Sequence, residues 1–318
     1  MVLSFAPMEG VTGADYRRLH HELFGGADVY YSPFIAPDSA GRFKMSHLRG
    51  LLPENNRDLK LIPQVLTNSA GAFLSVAAQL KELGYPEVNL NADCPSGTVT
   101  AKHKGAGMLA DPTALDAFLA EVFAHTPVSV SVKTRMGMES AAEFPALLEV
   151  YRKYPLCELI IHARVREDMY RRPADKSAFA AALPSCGCPV CYNGDIFSPE
   201  DLSALLALVP GQERIMLGRG AAADPALVRV FRGSSTLESA ELRVFHDRLL
   251  DAALGAGLSP AHAMARMKEL WFYLRCKFPG ADRAVKRLNK SRTLEDYRAA
   301  VDAVFSSGCF DPAAWFSE

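Results

Sequence analysis

The sequence predicts an α/β fold: a (β/α)8 TIM barrel with a C-terminal all-α helical bundle. Three observations predict it. Short β-rich runs alternate with longer amphipathic stretches through the first 220 residues, at the spacing βα units need. There are eight such runs, the number that closes a barrel. Strand signals then stop after Gly233-Ser234-Ser235, and only helical patterns follow. A doubly wound open sheet is the alternative, weakened because no Gly-x-Gly-x-x-Gly follows the first run.

Taken in order, the expected strands are 3–6, 28–32, 59–65, 87–91, 128–133, 159–162, 190–193 and 214–218. Helical patterns over 72–83, 113–125, 141–153 and 199–208 lie between them. Asp111-Pro112 and Ser198-Pro199 are start signals, because proline at the first helical position loses no hydrogen bond. Beyond the barrel, helices are expected over 237–254, 260–278, 281–289 and 293–305. Gly255-Ala256-Gly257, Pro279-Gly280 and Ser306-Ser307-Gly308 separate or end them. The expected domains are therefore a barrel over 1–235 and a helical domain over 236–318.

The 318 residues are 49% hydrophobic and 22% charged, an ordinary globular balance. No apolar run reaches the length of a membrane span. The stretch Met1 to Pro7 has no basic region and meets proline too early for a signal peptide, so a cytoplasmic, membrane-free protein is expected, as a monomer. Seven cysteines, an odd number, fit reduced thiols. Cys186-Gly187-Cys188 and Cys191 resemble part of a metal site but lack a fourth ligand, so no metal is expected. Net charge is −1, which gives no overall basic field. Residues 266–292 differ: nine basic side chains stand against Glu269 and Asp282, an excess of seven positive charges. Such a run is either a solvated helix face or a contact for a polyanion.

Barrel chemistry gathers at the C-terminal ends of the strands. Those ends carry Pro7-Met8, Ser32, Gln64, Asn91 with Cys94, Lys133, His162, Asn193-Gly194-Asp195 and Gly218-Arg219-Gly220. Each has a structural explanation on its own; polar or glycine-rich residues at nearly every end point to one shared site. Cys94 lies just past a strand on a Pro/Ser/Gly loop, placed to reach a substrate. The last two glycine-bearing ends sit where barrels hold phosphate: glycine lets backbone N–H groups approach an oxyanion, and Arg219 offers a fork of donors. Gln64 and Lys133 suit the edge of a flat, electron-poor ring, and Lys133 suits negative charge on that ring when reduced.

These residues resemble the tRNA-dihydrouridine synthase family. The resemblance rests on Ala6-Pro7-Met8-Glu9-Gly10-Val11-Thr12, Gln64, Asn89-Leu90-Asn91-x-x-Cys94-Pro95-Ser96, Lys102, Val132-Lys133-x-Arg135-x-Gly137, His162-x-Arg164, Asn193-Gly194-Asp195-Ile196 and Gly218-Arg219-Gly220. The helical tail matches more loosely, through Arg266-x-Lys268 before Trp271. Three motifs depart: Ala92-Asp93 precede the cysteine where a glycine is usual, Ala163 and Val165 replace a glycine and a threonine, and Gly13 stands where aspartate is common. Asp93 beside the thiol is expected to raise its pKa.

The resemblance implies that NADPH reduces bound FMN, which passes a hydride to C6 of a tRNA uracil, while Cys94 protonates C5. It implies cofactor contacts from Pro7, Met8, Glu9, Gln64, Lys133, His162, Asn193, Gly194, Asp195, Gly218 and Arg219. Substrate contacts are expected from Asn91, Lys102, Arg164, Tyr170 and Arg171, and the basic tail is expected to bind tRNA. Two alternatives stand beside this: a flavin barrel acting on a free pyrimidine, like a dihydroorotate dehydrogenase, and a tRNA-binding protein that keeps FMN without catalysis. The first needs no basic tail. The second does not need Cys94.

Overall fold

The computed structural model describes residues 1–38, 40–43 and 45–317. The strands are β1 (Val2–Phe5), β2 (Val29–Tyr31), β3 (Leu61–Ile62), β4 (Gln64–Val65), β5 (Glu87–Ala92), β6 (Ser129–Arg135), β7 (Leu159–His162), β8 (Val190–Asn193) and β9 (Arg214–Leu217). They form one parallel sheet in the order β3-β2-β1-β9-β8-β7-β6-β5-β4. Its two ends, β3 and β4, are consecutive in the chain, so the sheet closes on itself as the expected α/β barrel.

That closure corrects one expectation. The single strand expected over 59–65 is two short strands, broken at Pro63. Proline has no N–H for a ladder, which confines it to edges and breaks. The first half pairs with β2, where Tyr30 and Ser32 donate to the carbonyls of Lys60 and Ile62. The second half pairs with β5. The Gln64 N–H is met by the Ser32 hydroxyl at 3.1 Å.

Inside the barrel the filling is of two kinds. Val29, Tyr31, Ile62, Ile160, Cys191 and Met216 form an apolar cluster, and Cys191 serves there as a small buried hydrophobe. On β4, β5 and β6 the buried residues instead include Gln64, Asn89, Asn91, Ser131 and Lys133. Side chains two apart share one face of a strand, so Asn89 with Asn91, and Ser131 with Lys133, are brought together by the strand's period.

The helices follow the expected spans closely. They include Ala70–Glu82, Pro112–His125, Pro199–Leu208, Ser239–Gly255, Pro260–Leu274, Asp282–Lys290 and Leu294–Phe305. Asp111 caps Pro112–His125 by accepting the N–H groups of Thr113 and Ala114. The helix expected over 141–153 is a 3-10 turn, Ala141–Glu143, running into Phe144–Tyr151. The one expected over 260–278 likewise ends in a 3-10 turn, Arg275–Lys277. Among the described residues no helix is long and apolar enough to cross a membrane.

The chain forms two compact units. One comprises Met1–Pro7, Asp28–Asp195 and Ser203–Met216, with the barrel strands. The other comprises Met8–Ala27, Ile196–Leu202 and Leu217–Glu318, whose final residue lies outside the described part. The second unit has its own core: Trp271 Nε1 donates to the Tyr297 hydroxyl at 3.0 Å, and His246 Nε2 lies 2.7 Å from the same oxygen. Lys277 is buried there, 2.7 Å from Asp224 and donating to the Pro312 carbonyl at 2.9 Å. The basic run over 266–292 is therefore not all surface. Arg283, Lys286, Arg287 and Lys290 are exposed on Asp282–Lys290, while Val285 and Leu288 face inward.

Candidate active site at the strand ends

A row of amides crosses the polar half of the barrel. Asn91 Nδ2 donates to Gln64 Oε1 at 2.7 Å, Gln64 Nε2 to Asn89 Oδ1 at 2.8 Å, and Asn89 Nδ2 to Ser131 Oγ at 3.0 Å. The other end of Asn91 turns to the loop beyond β5. Its Oδ1 accepts the N–H groups of Asp93 at 3.1 Å and Cys94 at 2.9 Å. Asn91 thus shapes the turn that presents the thiol. The loop returns at Ala106, whose N–H donates to the Cys94 carbonyl at 3.0 Å. Gly105 (φ +56°) allows this approach, since a Cβ there would lie 2.7 Å from that carbonyl oxygen.

The Cys94 thiol is half-buried, and burial pushes its pKa up. The Asp93 charge adds in the same direction, as expected, but as a smaller contribution. The group therefore stays a thiol through neutral pH, the form that can give up a proton.

Asp93 itself is turned away into a charged network. Its Oδ2 lies 2.7 Å from Lys133 Nζ and its Oδ1 2.9 Å from His162 Nδ1. Arg135 Nε donates to the Asp93 carbonyl at 3.0 Å and lies 3.4 Å from Oδ1. Although desolvation opposes it, the cations around Asp93 hold its carboxyl well below the usual carboxylate range. Burial, the largest influence, lowers His162 from its usual 6.5 to about 3, against the Asp93 charge that raises it. A neutral imidazole beside an ionised carboxylate must carry its hydrogen on Nδ1. Nε2 is then an acceptor, and Arg164 Nη1 stands 3.2 Å from it. Arg164 continues the network to Asp195 Oδ2 at 2.6 Å, which also accepts the Ala174 N–H at 2.8 Å.

Tyr170 lies against this network. Its ring is beneath the guanidinium groups of Arg135 at 5.5 Å and Arg164 at 5.7 Å, and 5.9 Å from His162. It nonetheless remains 41% exposed.

Of the residues singled out in the sequence, the barrel unit brings together Gln64, Asn91, Cys94, Lys133, His162, Arg164, Tyr170 and Asp195. Asn193 adjoins them on β8, donating to the Met216 carbonyl at 2.9 Å, with Gly194 after it. Lys102 and Arg171 are exposed and stand outside the network. Pro7 closes the first segment of the barrel unit. Met8, Glu9, Gly218 and Arg219 belong to the second unit. There the Met8 N–H donates to Thr12 Oγ1 at 2.8 Å, while burial and the nearby Glu269 raise the Glu9 carboxyl. Gly218 is the N-cap of a five-residue helix, Arg219–Ala223, rather than part of an open glycine loop. The Arg219 guanidinium lies 5.3 Å over the Phe197 ring and 5.9 Å over Phe316.

Sequence reasoning missed the linking roles of Asn89, Asp93 and Arg135. Asn89 and Arg135 each stand two residues from a singled-out strand residue, a spacing that places them on the same face. Asp93 had no comparable signal, because its partners lie 40 and 69 residues away.

The dihydrouridine synthase (Dus) family model matches residues 4–302. The chain belongs to the dihydrouridine synthase family. Among curated relatives, tRNA-dihydrouridine(16) synthase of Escherichia coli (strain K12) is 30% identical over 320 residues, covering 96% of this chain and 98% of the relative. The tRNA-dihydrouridine synthase B of Pseudomonas syringae pv. tomato is 27% identical over 325 residues, covering 98% and 93%. Of solved structures, histamine dehydrogenase from Rhizobium sp. 4-9 is similar at a TM-score of 0.56 and 10% identity, over 73% of this chain and 45% of that one. A 2-naphthoyl-CoA reductase complex gives 0.52 at 15% identity, over 73% and 50%. These structural likenesses bear on the fold alone. As a dihydrouridine synthase family member the chain is an enzyme, and the thiol-bearing loop and charged network are its candidate catalytic machinery.

Proposed function

We propose that this enzyme reduces a uridine of tRNA to 5,6-dihydrouridine, with FMN as cofactor and NADPH as electron source. The observation that carries the reading is the presentation of Cys94. Asn91 fixes the loop through two backbone N–H groups, and burial keeps the thiol protonated. A thiol so held is a general acid awaiting a carbanion-like carbon, which is what C5 of uracil becomes when hydride reaches C6.

The donor set fits the flavin. Lys133 spends one ammonium hydrogen on Asp93, and Arg135 Nη2 is buried without a hydrogen-bond partner among the described residues. A buried cationic set with donors to spare suits a ring whose edge offers acceptors and gains charge on reduction. Gln64, Lys133, Asn193, Gly194 and Asp195 would hold the ring and its substituents, and His162 would keep Asp93 in place. Pro7, Met8, Glu9, Gly218 and Arg219 are proposed contacts on the resemblance alone. FMN, when bound, supplies the hydride.

For the substrate, Tyr170 offers an exposed aromatic face backed by two guanidinium groups, a platform on which an unstacked base can rest. Arg164, Arg171 and Lys102 are the proposed accompanying contacts. The basic face of Asp282–Lys290 is proposed to take the RNA backbone, within a tRNA-binding domain over 236–318. The test is direct: incubate unmodified tRNA transcript with the purified protein, FMN and NADPH, and measure dihydrouridine by nucleoside mass spectrometry. Product formed only with both cofactors supports the reading. Absence of product from a folded, flavin-loaded protein across a full set of tRNAs overturns it.

A further inference from the structure

We propose that Asp93 tunes the flavin, holding its reduction potential lower than the surrounding cations would set it. This rests on the flavin reading above. The observation is a charge balance at the ends of β6 and β7. Lys133, Arg135 and Arg164 bring three basic side chains into a buried region. Asp195 answers Arg164 at 2.6 Å. Asp93 answers the other two, at 2.7 Å from Lys133 and 3.4 Å from Arg135. His162, neutral, adds nothing to the balance and fixes the carboxylate by its Nδ1 hydrogen.

The redox consequence follows from where charge appears. Hydride from NADPH brings two electrons and one proton to the ring, leaving NADP⁺ and a reduced flavin with one more negative charge than the oxidised form. A cation at the ring edge favours that product, and an anion beside the cation opposes it. Asp93 acts twice here: its charge offsets that of Lys133, and its hydrogen bond draws the ammonium toward itself. A flavin held at lower potential is the stronger hydride donor, which suits reduction of a ring as reluctant as uracil. Asp93 is a positioning residue in this scheme, acting on Lys133 and, by its own buried charge, on the whole cationic set, and the sequence resemblance places a glycine where this chain carries it.

The experiment is a spectroscopic redox titration of bound FMN. Asp93→Asn should raise the midpoint potential by about 30 mV or more, a tenfold change in the ratio of reduced to oxidised FMN affinity. A single variant leaves a buried cation unpaired and can fail to fold. The second comparison is therefore Lys133→Gln against Lys133→Gln with Asp93→Asn, in which both members of the pair become neutral. The double variant should sit above the single one. FMN bound at the same potential with and without the carboxylate, in both comparisons, overturns the inference alone. A wild-type protein that takes up no FMN overturns the flavin reading and the inference with it. A merely structural role for Asp93 would move the melting temperature and leave both potentials unchanged.

Discussion

Asn91 holds Cys94 through a single oxygen: its Oδ1 accepts the Cys94 N–H at 2.9 Å while its own amide nitrogen is anchored on Gln64. The reactive loop is thereby tied to the barrel wall rather than to its own turn residues. Asn91→Ala should leave two backbone N–H groups without an acceptor, each costing about 1–3 kcal/mol if it stays dry. Uridine reduction should fall more than FMN binding does. Kinetics of the two half-reactions, with a thermal melt, will show whether the loss lies in loop placement.

Cys94→Ala should bind FMN and accept electrons from NADPH at a near-normal rate. Its oxidation by tRNA should slow by about two to four orders of magnitude, the usual worth of a positioned acid. Cys94→Ser should also be poor, since a hydroxyl is a far weaker acid. Stopped-flow traces of both half-reactions decide this; a folded Cys94→Ala that reduces uridine at the wild-type rate would sink the assignment. Because the thiol's pKa is raised, the proton-donating step should stay flat through neutral pH and fall only on the alkaline side.

Stability should depend on acid through buried histidines, His246 among them, since burial lowers its pKa too. His20 and His162 are each lowered to about 3, chiefly by burial. The unfolded chain takes up protons near pH 6.5 while the folded one does not, so stability is lost as pH falls below 6.5. The slope should approach about 1.4 kcal/mol per pH unit for each histidine. His20→Gln should remove roughly one such increment from the slope of denaturant melts between pH 6 and 4. An unchanged slope would mean that His20 protonates in the folded state.

Replacing Lys286, Arg287 and Lys290 together by glutamine should weaken tRNA binding and flatten its salt dependence. If each meets a phosphate, the slope of log K against log salt should shrink by about two to three. Binding curves at several salt concentrations provide the check, and an unaltered slope would place the RNA elsewhere.

The second unit's tail is packed by Phe316 among Phe197, Phe272 and Tyr273, and by Lys277 on the Pro312 carbonyl. Phe316→Ala should cost about 3–5 kcal/mol if the site cannot collapse. It should also remove one of the two rings over which Arg219 lies. Denaturant melts and Arg219-dependent FMN affinity are the measurements.

The spans 159–162, 190–193 and 199–208 were legible to the residue, because period, proline and β-branching all agree there. Strand β6 runs two residues beyond its expected end at Lys133, although Thr134-Arg135 has the polarity of an exit from a strand. In the fold that arginine is fully buried, its Nε and Nη1 donating to the carbonyls of Asp93, Val165 and Met169 while Nη2 is left without a partner among the described residues. Lys277 belongs in the sequence to a basic run with the composition of a surface, and only tertiary packing buries it against Asp224. Pairings of this kind depend on residues far apart in the chain, and no local pattern encodes them.

Ser32 sits where architecture and chemistry share one atom. Its hydroxyl accepts the Gln64 N–H just past Pro63, and Gln64 holds Asn91, the end of the amide row that steers Cys94. A mutation at position 32 would therefore be felt twice, once as a loosened seam in the cylinder and once as a misaimed acid. Drift in the scaffold cannot be hidden from catalysis at that point, and a stabilising change introduced there carries a functional consequence from the outset.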